Sequence, residues 1–174
     1  MSTDVKSRGD SFIPPNNSLT HDGWSNEDEA TATCFCGKVQ LVVPLKSPGL
    51  VNTFACNCVD CRKVTASMFA TNFTTLDSHT RFSRGEDHLT TFSQDKTTES
   101  GKTMTNGFCR TCGTLMYRKS DAYPGTRFLR VGTVDDLNLH QTVLKPKDEM
   151  FVATRVGWWD GVKGAKQWDG VAGG

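Results

Sequence analysis

The chain has 174 residues, 36% hydrophobic and 22% charged, with 20 Lys and Arg against 19 Asp and Glu and a formal net charge of +1. That length suits one domain with its own core rather than two. The cations are scattered rather than massed, which argues against a nucleic-acid partner, and no apolar run approaches the ~20 residues that cross a bilayer as a helix.

Residues 1 to 30 are polar, carry Pro14-Pro15-Asn16-Asn17 and Glu27-Asp28-Glu29, and read as a mobile tail before a single domain over 31–174 that ends in a loop. The first ten residues lack the apolar stretch of a signal peptide, so a cytoplasmic, reducing setting is expected. From Thr31 onward, short runs of Val, Thr, Phe and Leu are broken by Gly, Pro, Asn and Asp, the pattern of antiparallel sheet. It predicts strands at Lys38–Val43, Val51–Phe54, Met68–Asn72, Thr80–Ser83, Leu89–Ser93, Leu115–Arg118, Arg127–Val131 and Met150–Thr154. Helical signals are confined to one turn at Val59–Val64 and another at Val134–Leu137, which Thr133 could cap. The fold class is therefore all-β, built of small antiparallel sheets.

The seven cysteines lie in three groups, Cys34-x-Cys36, Cys56-x-Cys58-x-x-Cys61 and Cys109-x-x-Cys112. Thiols so closely spaced in a reducing compartment are more often metal-binding than bridged, and the pairs open no βαβ pattern of a redox protein. They point to two zinc ions. Small sheets bury little apolar area, and a metal joining Cys36 to Cys109, 73 positions apart, would make up part of the deficit.

Two, three and two ligands can be divided between two metals in more than one way. The strongest division gives Cys34, Cys36, Cys109 and Cys112 to a closed structural zinc and Cys56, Cys58 and Cys61 to a second zinc with three protein ligands. Each terminal pair offers only two sulfurs, whereas an extended step followed by a helical turn brings all three middle sulfurs to one point. Gly37 and Gly113 follow their pairs, as expected where a zinc knuckle turns back with φ > 0. A three-ligand site leaves a coordination position for substrate. Zn2+ with three thiolates carries −1, making it a weak acidifier of water but a good partner for a soft thiol, which would bind as thiolate. Arg62 and Lys63 could offset the thiolate charge or bind the carboxylates of an acidic thiol, or be ordinary surface charge. His21, His79, His88 and His140 form no ligand pair, although His79, His88 or Asp60 could close the second site. No Gly-x-Ser-x-Gly elbow, P-loop or dinucleotide fingerprint occurs, so the chemistry falls to the metal.

Thr33-Cys34-Phe35-Cys36-Gly37-Lys38-Val39, Cys56-Asn57-Cys58-Val59-Asp60-Cys61-Arg62-Lys63, Arg84-Gly85-Glu86-Asp87-His88-Leu89, Phe108-Cys109-Arg110-Thr111-Cys112-Gly113-Thr114 and Arg130-Val131-Gly132-Thr133-Val134-Asp135-Asp136 occur in that order. Together they resemble the glutathione-dependent formaldehyde-activating enzyme family, which also includes centromere protein V. The resemblance spans about Thr31 to Trp159. It implies a zinc-stapled β-tent fold and two zinc ions, with Cys34, Cys36, Cys109 and Cys112 as structural ligands and Cys56, Cys58 and Cys61 as catalytic ones. The implied activity is that of a carbon-sulfur lyase, making or cleaving S-(hydroxymethyl)glutathione from glutathione and formaldehyde. The chain departs from the family at Asn106-Gly107-Phe108, where many members have a basic residue and an aromatic, and at Val64-Thr65, where small residues are common.

Two further readings stand beside this one. Trp158, Trp159 and Trp168 near the chain end could roof an apolar pocket for a larger substrate of a biosynthetic pathway, or staple the C-terminal loop down. A non-catalytic, zinc-stapled interaction module is the other. The expected partner is a small-molecule thiol, glutathione first, with no nucleic acid and no membrane; monomer and homo-oligomer both remain open.

Overall fold

The computed structural model of the chain describes residues 11–14 and 18–173. Among the described residues, eleven strands make it mainly β: β1 (Glu29–Thr33), β2 (Gln40–Pro44), β3 (Leu50–Cys56), β4 (Ala70–Leu76), β5 (Arg81–Arg84), β6 (Leu89–Gln94), β7 (Met104–Cys109), β8 (Leu115–Ser120), β9 (Thr126–Arg130), β10 (Asp148–Met150) and β11 (Lys166–Trp168). One helix, α1 (Val59–Thr65), lies between β3 and β4. β1, β2 and β5 form a three-stranded antiparallel sheet, and the other strands form an eight-stranded sheet in the order β11-β10-β3-β4-β9-β8-β7-β6. Its pairs are antiparallel except that β10 runs parallel to both β3 and β11.

Residues directly opposite each other on neighbouring strands share a face, and the register fixes what each face of the large sheet carries. Phe73 pairs with Leu129, which pairs with Tyr117. Phe73 and Leu129 are fully buried and pack with Ala30, Ala32, Val39, Leu41 and Val43 of the small sheet and its turn. On the opposite face, Phe54, Asn72 and Arg130 form one row, Cys56 and Ala70 a second, and Thr74, Phe128, Arg118 and Asn106 a third. A smaller cluster of Phe54, Cys56, Cys61, Ala70 and Met150 covers part of this face, with Phe151, Val171 and Ala172 of the C-terminal segment packed on it. Both faces of the sheet are thus partly covered, one by apolar packing and the other by a polar layer that includes the middle cysteines.

Each predicted strand overlaps an observed one, but the last meets β10 only at Met150, and Val152–Thr154 is a 3-10 turn. β1, β7 and β11 were not expected. β1 is Ala-rich because Ala30 and Ala32 pack with no exposed surface. β7 contains Asn106-Gly107, which reads as a turn, yet a Cβ on Gly107 would collide with the Tyr117 ring. The helix expected at Val134–Leu137 does not form: Val134 bridges to Ala32, Asp135 accepts from Thr33 Oγ1 (2.6 Å) and Asp136 from Ser25 Oγ (2.6 Å). Thr133 Oγ1 donates to Arg130 O (2.8 Å) rather than capping anything. Tertiary bonds override the local signal.

Residues 1–10 and 15–17 of the expected tail lie outside the described residues. Its described part makes bonds to the domain: Leu19 N donates to Phe35 O (3.1 Å), Arg84 Nη1 donates to Asp22 Oδ2 (2.5 Å), and Phe12 N donates to Asp136 Oδ1 (2.9 Å). Among the described residues, no helix is long and apolar enough to cross a membrane.

Candidate metal centres

The β1–β2 and β7–β8 connections are matching knuckles. Gly37 N donates to Cys34 O and Gly113 N to Cys109 O, both at 2.9 Å, and the two glycines take φ of 77° and 73°. Val39 N also donates to Cys34 Sγ (3.3 Å). The sulfurs of Cys34, Cys36, Cys109 and Cys112 all lie within 4.8 Å of one another, with Cys36 Sγ 3.6 Å from both Cys34 Sγ and Cys109 Sγ. Tetrahedral zinc with bonds of about 2.3 Å separates its sulfurs by roughly 3.8 Å, so the donor set fits a zinc ion. Such an ion would tie the small sheet to the β7–β8 hairpin. Burial first of all drives the Cys34 thiol up to about 12. Burial acts the same way on Cys112, but hydrogen bonds from Thr114 Oγ1, Thr114 N and Cys36 N bring that thiol down to about 6. A thiolate-demanding metal must displace the remaining protons.

The middle group is built differently. Cys56 ends β3, Cys58 is the N-cap of α1, and Cys61 lies in its first turn with its N–H directed at Cys58 Sγ (3.4 Å). The three sulfurs lie within 4.8 Å of one another, and among the described residues no histidine, aspartate or glutamate joins them. The donors suit the same soft metal, with one fewer protein ligand than the first group.

Asn57, between two of these cysteines, is fully buried and clamped by the C-terminal segment. Its backbone N and Nδ2 donate to Met150 O (3.1 and 3.2 Å), Nδ2 also donates to Glu149 Oε1 (3.0 Å), and its carbonyl accepts from Thr154 Oγ1 (3.0 Å). Glu149, itself without exposed surface, is held by Arg155 Nη1 (3.1 Å to each oxygen) and Val162 N (3.3 Å). A strand distant in sequence therefore fixes the backbone between Cys56 and Cys58.

Two arginines face the same group from the sheet. Arg118 on β8 and Arg130 on β9 are each 7% exposed. Arg118 Nη1 donates to Cys61 Sγ (3.4 Å), and Arg130 Nη1 donates to Asn72 Oδ1. Neither has a carboxylate partner among the described residues, and Arg118 Nε, Arg130 Nε and Arg130 Nη2 are buried without a hydrogen-bond acceptor. Donation from Cys56 and Cys58, followed by the charges of Arg130 and Arg118, holds the Cys61 thiol well below its ordinary range. Cys56 moves the other way, raised by Cys58 and Cys61 and then by burial. The two thiols are thus pushed in opposite directions by each other and by the arginines.

Of the roles open to Arg62 and Lys63, surface charge fits their positions, and the cations beside the middle sulfurs are Arg118 and Arg130. Arg62 turns away to Thr154 O (3.2 Å) and Met68 Sδ (3.5 Å), and Lys63 is exposed. Asp60 accepts from Thr97 Oγ1 (2.6 Å) and Gln94 Nε2 (3.4 Å) of the β6–β7 region. His79 contacts Ser78 Oγ (3.0 Å), His88 contacts Thr111 Oγ1 (2.6 Å), and His140 contacts Val134 O (2.9 Å), all outside both sulfur groups. Nothing in the sequence separates Arg118 and Arg130 from outward-facing strand residues; that they point inward follows from pairing register.

A cleft of about 370 Å3 runs between α1 and the second knuckle, lined by Val64, Thr65, Phe69, Thr114, Leu115 and Arg130 among others. Phe69 stacks on Trp159 with ring centroids 3.7 Å apart, Trp158 is exposed, and Trp168 Nε1 donates to Asp148 Oδ1 (2.8 Å). A larger cleft of about 580 Å3 beside Lys46 and Arg81 contains no cysteine, and those cations are already paired with Asp28 and Glu29.

The family model described as glutathione-dependent formaldehyde-activating enzyme matches residues 29–154, a span that includes every cysteine and both buried arginines. The crystal structure of a Rhodobacter sphaeroides protein has a similar fold, with a TM-score of 0.52 and 23% identity over 79% of this chain and 98% of that one. No curated protein matches the chain.

Proposed function

The chain belongs to the glutathione-dependent formaldehyde-activating enzyme family, and on that basis we propose that it is a zinc-dependent carbon-sulfur lyase acting on a small thiol, with glutathione and formaldehyde as the pair to test first. The observation that carries this reading is the difference between the two sulfur groups: four mutually close sulfurs in one, three in the other. Cys34, Cys36, Cys109 and Cys112 would hold a structural zinc, and Cys56, Cys58 and Cys61 a catalytic one. When bound, that second zinc would favour the thiolate form of an incoming thiol and hold it close to an electrophilic carbon.

In the forward direction the thiol sulfur adds to the aldehyde carbon, a carbon–sulfur bond forms, the S–H bond breaks and the proton ends on the former carbonyl oxygen. No electrons leave or enter. Cys56 and Cys58 are oriented by the Asn57 clamp, Cys61 by the first turn of α1, and Arg118 sets the charge beside Cys61. Seven free thiols suit a reducing compartment, and this supports the cytoplasm as the proposed setting.

Zinc content and the rate of S-(hydroxymethyl)glutathione formation above the uncatalysed background, followed by exchange NMR, test the assignment. Cys58→Ser should stay folded, retain one zinc and fall to background, whereas Cys112→Ser should unfold or become insoluble. Cys58→Ser with wild-type turnover would overturn the catalytic assignment. The Phe69–Trp159 stack beside the cleft supports a second reading, a larger thiol adduct as substrate. Turnover of aromatic thiol adducts at rates above that of S-(hydroxymethyl)glutathione would favour it.

A further inference from the structure

We infer that Arg118 and Arg130 are the positioning residues that make the three-cysteine centre receptive to a fourth, anionic sulfur. The inference rests on the thiol reading above and goes beyond it by saying which residues admit the thiol. Zn2+ held by three thiolates carries −1, and a thiolate entering its fourth position would bring the buried cluster to −2. Removing such charge from water without compensation is strongly unfavourable. Phe54, Ala70 and Met150 pack against the cysteines, and the buried Asn57 and Asn72 nearby are neutral. The two guanidiniums supply +2, so the centre has net +1 before the thiol binds and is neutral afterwards.

Three observations support this role. Arg118 Nη1 already contacts Cys61 Sγ at 3.4 Å. Both side chains are more than nine-tenths buried, and neither meets a carboxylate among the described residues, so the thiolates are the anions available to them. Arg118 Nε and Arg130 Nε and Nη2 have no acceptor, and buried guanidinium donors are rarely left so. An added sulfur or the oxygen of a thiol adduct would give them one. Register places the pair: Arg130 is opposite Asn72, two residues along β4 from Ala70, which is opposite Cys56.

The test uses the zinc-loaded protein and its cobalt-substituted form, with 2-mercaptoethanol as a thiol whose only charge is its thiolate. Added thiolate should raise the sulfur-to-cobalt absorption of the wild type. Arg118→Gln should weaken that uptake at least tenfold while both metals stay bound, and Arg118→Lys, which restores the charge without the planar fork, should recover most of it. A merely structural role predicts equal uptake by folded Gln and Lys variants. Arg130→Gln gives the same comparison from β9 if Arg118→Gln does not fold. Uptake by both Gln variants within twofold of wild type overturns the inference and leaves the lyase reading standing. A wild type that takes up neither 2-mercaptoethanol nor glutathione refutes the thiol reading itself and this inference with it.

Discussion

Replacing Glu149 by Gln should destabilise the protein by about 3 kcal/mol and loosen the middle cysteine group. The carboxylate accepts from Asn57 Nδ2 and Arg155 Nη1 on Oε1, and from Arg155 Nη1 and Val162 N on Oε2. Gln turns one of those oxygens into an NH2, so in either orientation a donor faces a donor and two bonds are lost. Hydrogen bonds to charged groups contribute about 1.5–3 kcal/mol each, and breaking a buried pair costs about 3–5 kcal/mol. Arg155 keeps 23% of its side-chain surface and can partly rehydrate, which favours the low end. For a chain of this length that loss corresponds to a Tm drop of roughly 6–12 °C. Urea unfolding of the zinc-loaded protein measures the change, and chelator challenge reads metal loss from the Cys56 group. Arg155→Met should cost at least as much, since it leaves a fully buried carboxylate without its cation, and the double variant should cost less than the sum. A loss below about 1 kcal/mol for Glu149→Gln, with the middle metal retained as in wild type, would refute the clamp.

Phe73→Ala, at the fully buried centre of the two-sheet core, should cost about 3–5 kcal/mol in denaturant unfolding. Gly37→Ala should be worse than Gly113→Ala although φ is nearly the same, because a Cβ at Gly37 runs into Thr20 Cγ2 while the space at Gly113 is open. Melting temperatures should place the Gly113 variant near the left-handed penalty of about 1–2 kcal/mol and the Gly37 variant beyond it. Burial opposes ionisation of Asp77, but Lys119 and Arg127 together bring its pKa below the usual 3.8. A depressed carboxyl stabilises the fold above its unfolded value and loses that effect as pH falls through the folded one. The stability gap between wild type and Asp77→Asn, from unfolding curves, should therefore be constant near neutrality and shrink below about pH 3.8; a gap unchanged down to pH 2 would contradict the pairing.

The sequence by itself determined how the sulfurs are grouped. Ligand spacing is local, so Cys-x-Cys, Cys-x-x-Cys and the glycines after them could be read as knuckles without knowing where the knuckles meet, and the division into four and three follows from how many sulfurs one turn can gather. The β pattern and α1 were legible for the same reason, since alternation and a single helical turn depend on neighbouring residues. Only the tertiary structure decided what surrounds the sulfurs. Arg118 and Arg130 sit in strands that look ordinary, and strand register turns them inward; Glu149 reaches Asn57 from 92 positions away. β7 hid behind Asn106-Gly107 because the glycine answers a ring on the next strand, and Val134–Leu137 gave up its helix to bonds with β1 and the N-terminal segment. The cysteine groups are specified by spacing along the chain, whereas the charge and hydrogen bonds around them come from segments whose proximity no local pattern encodes.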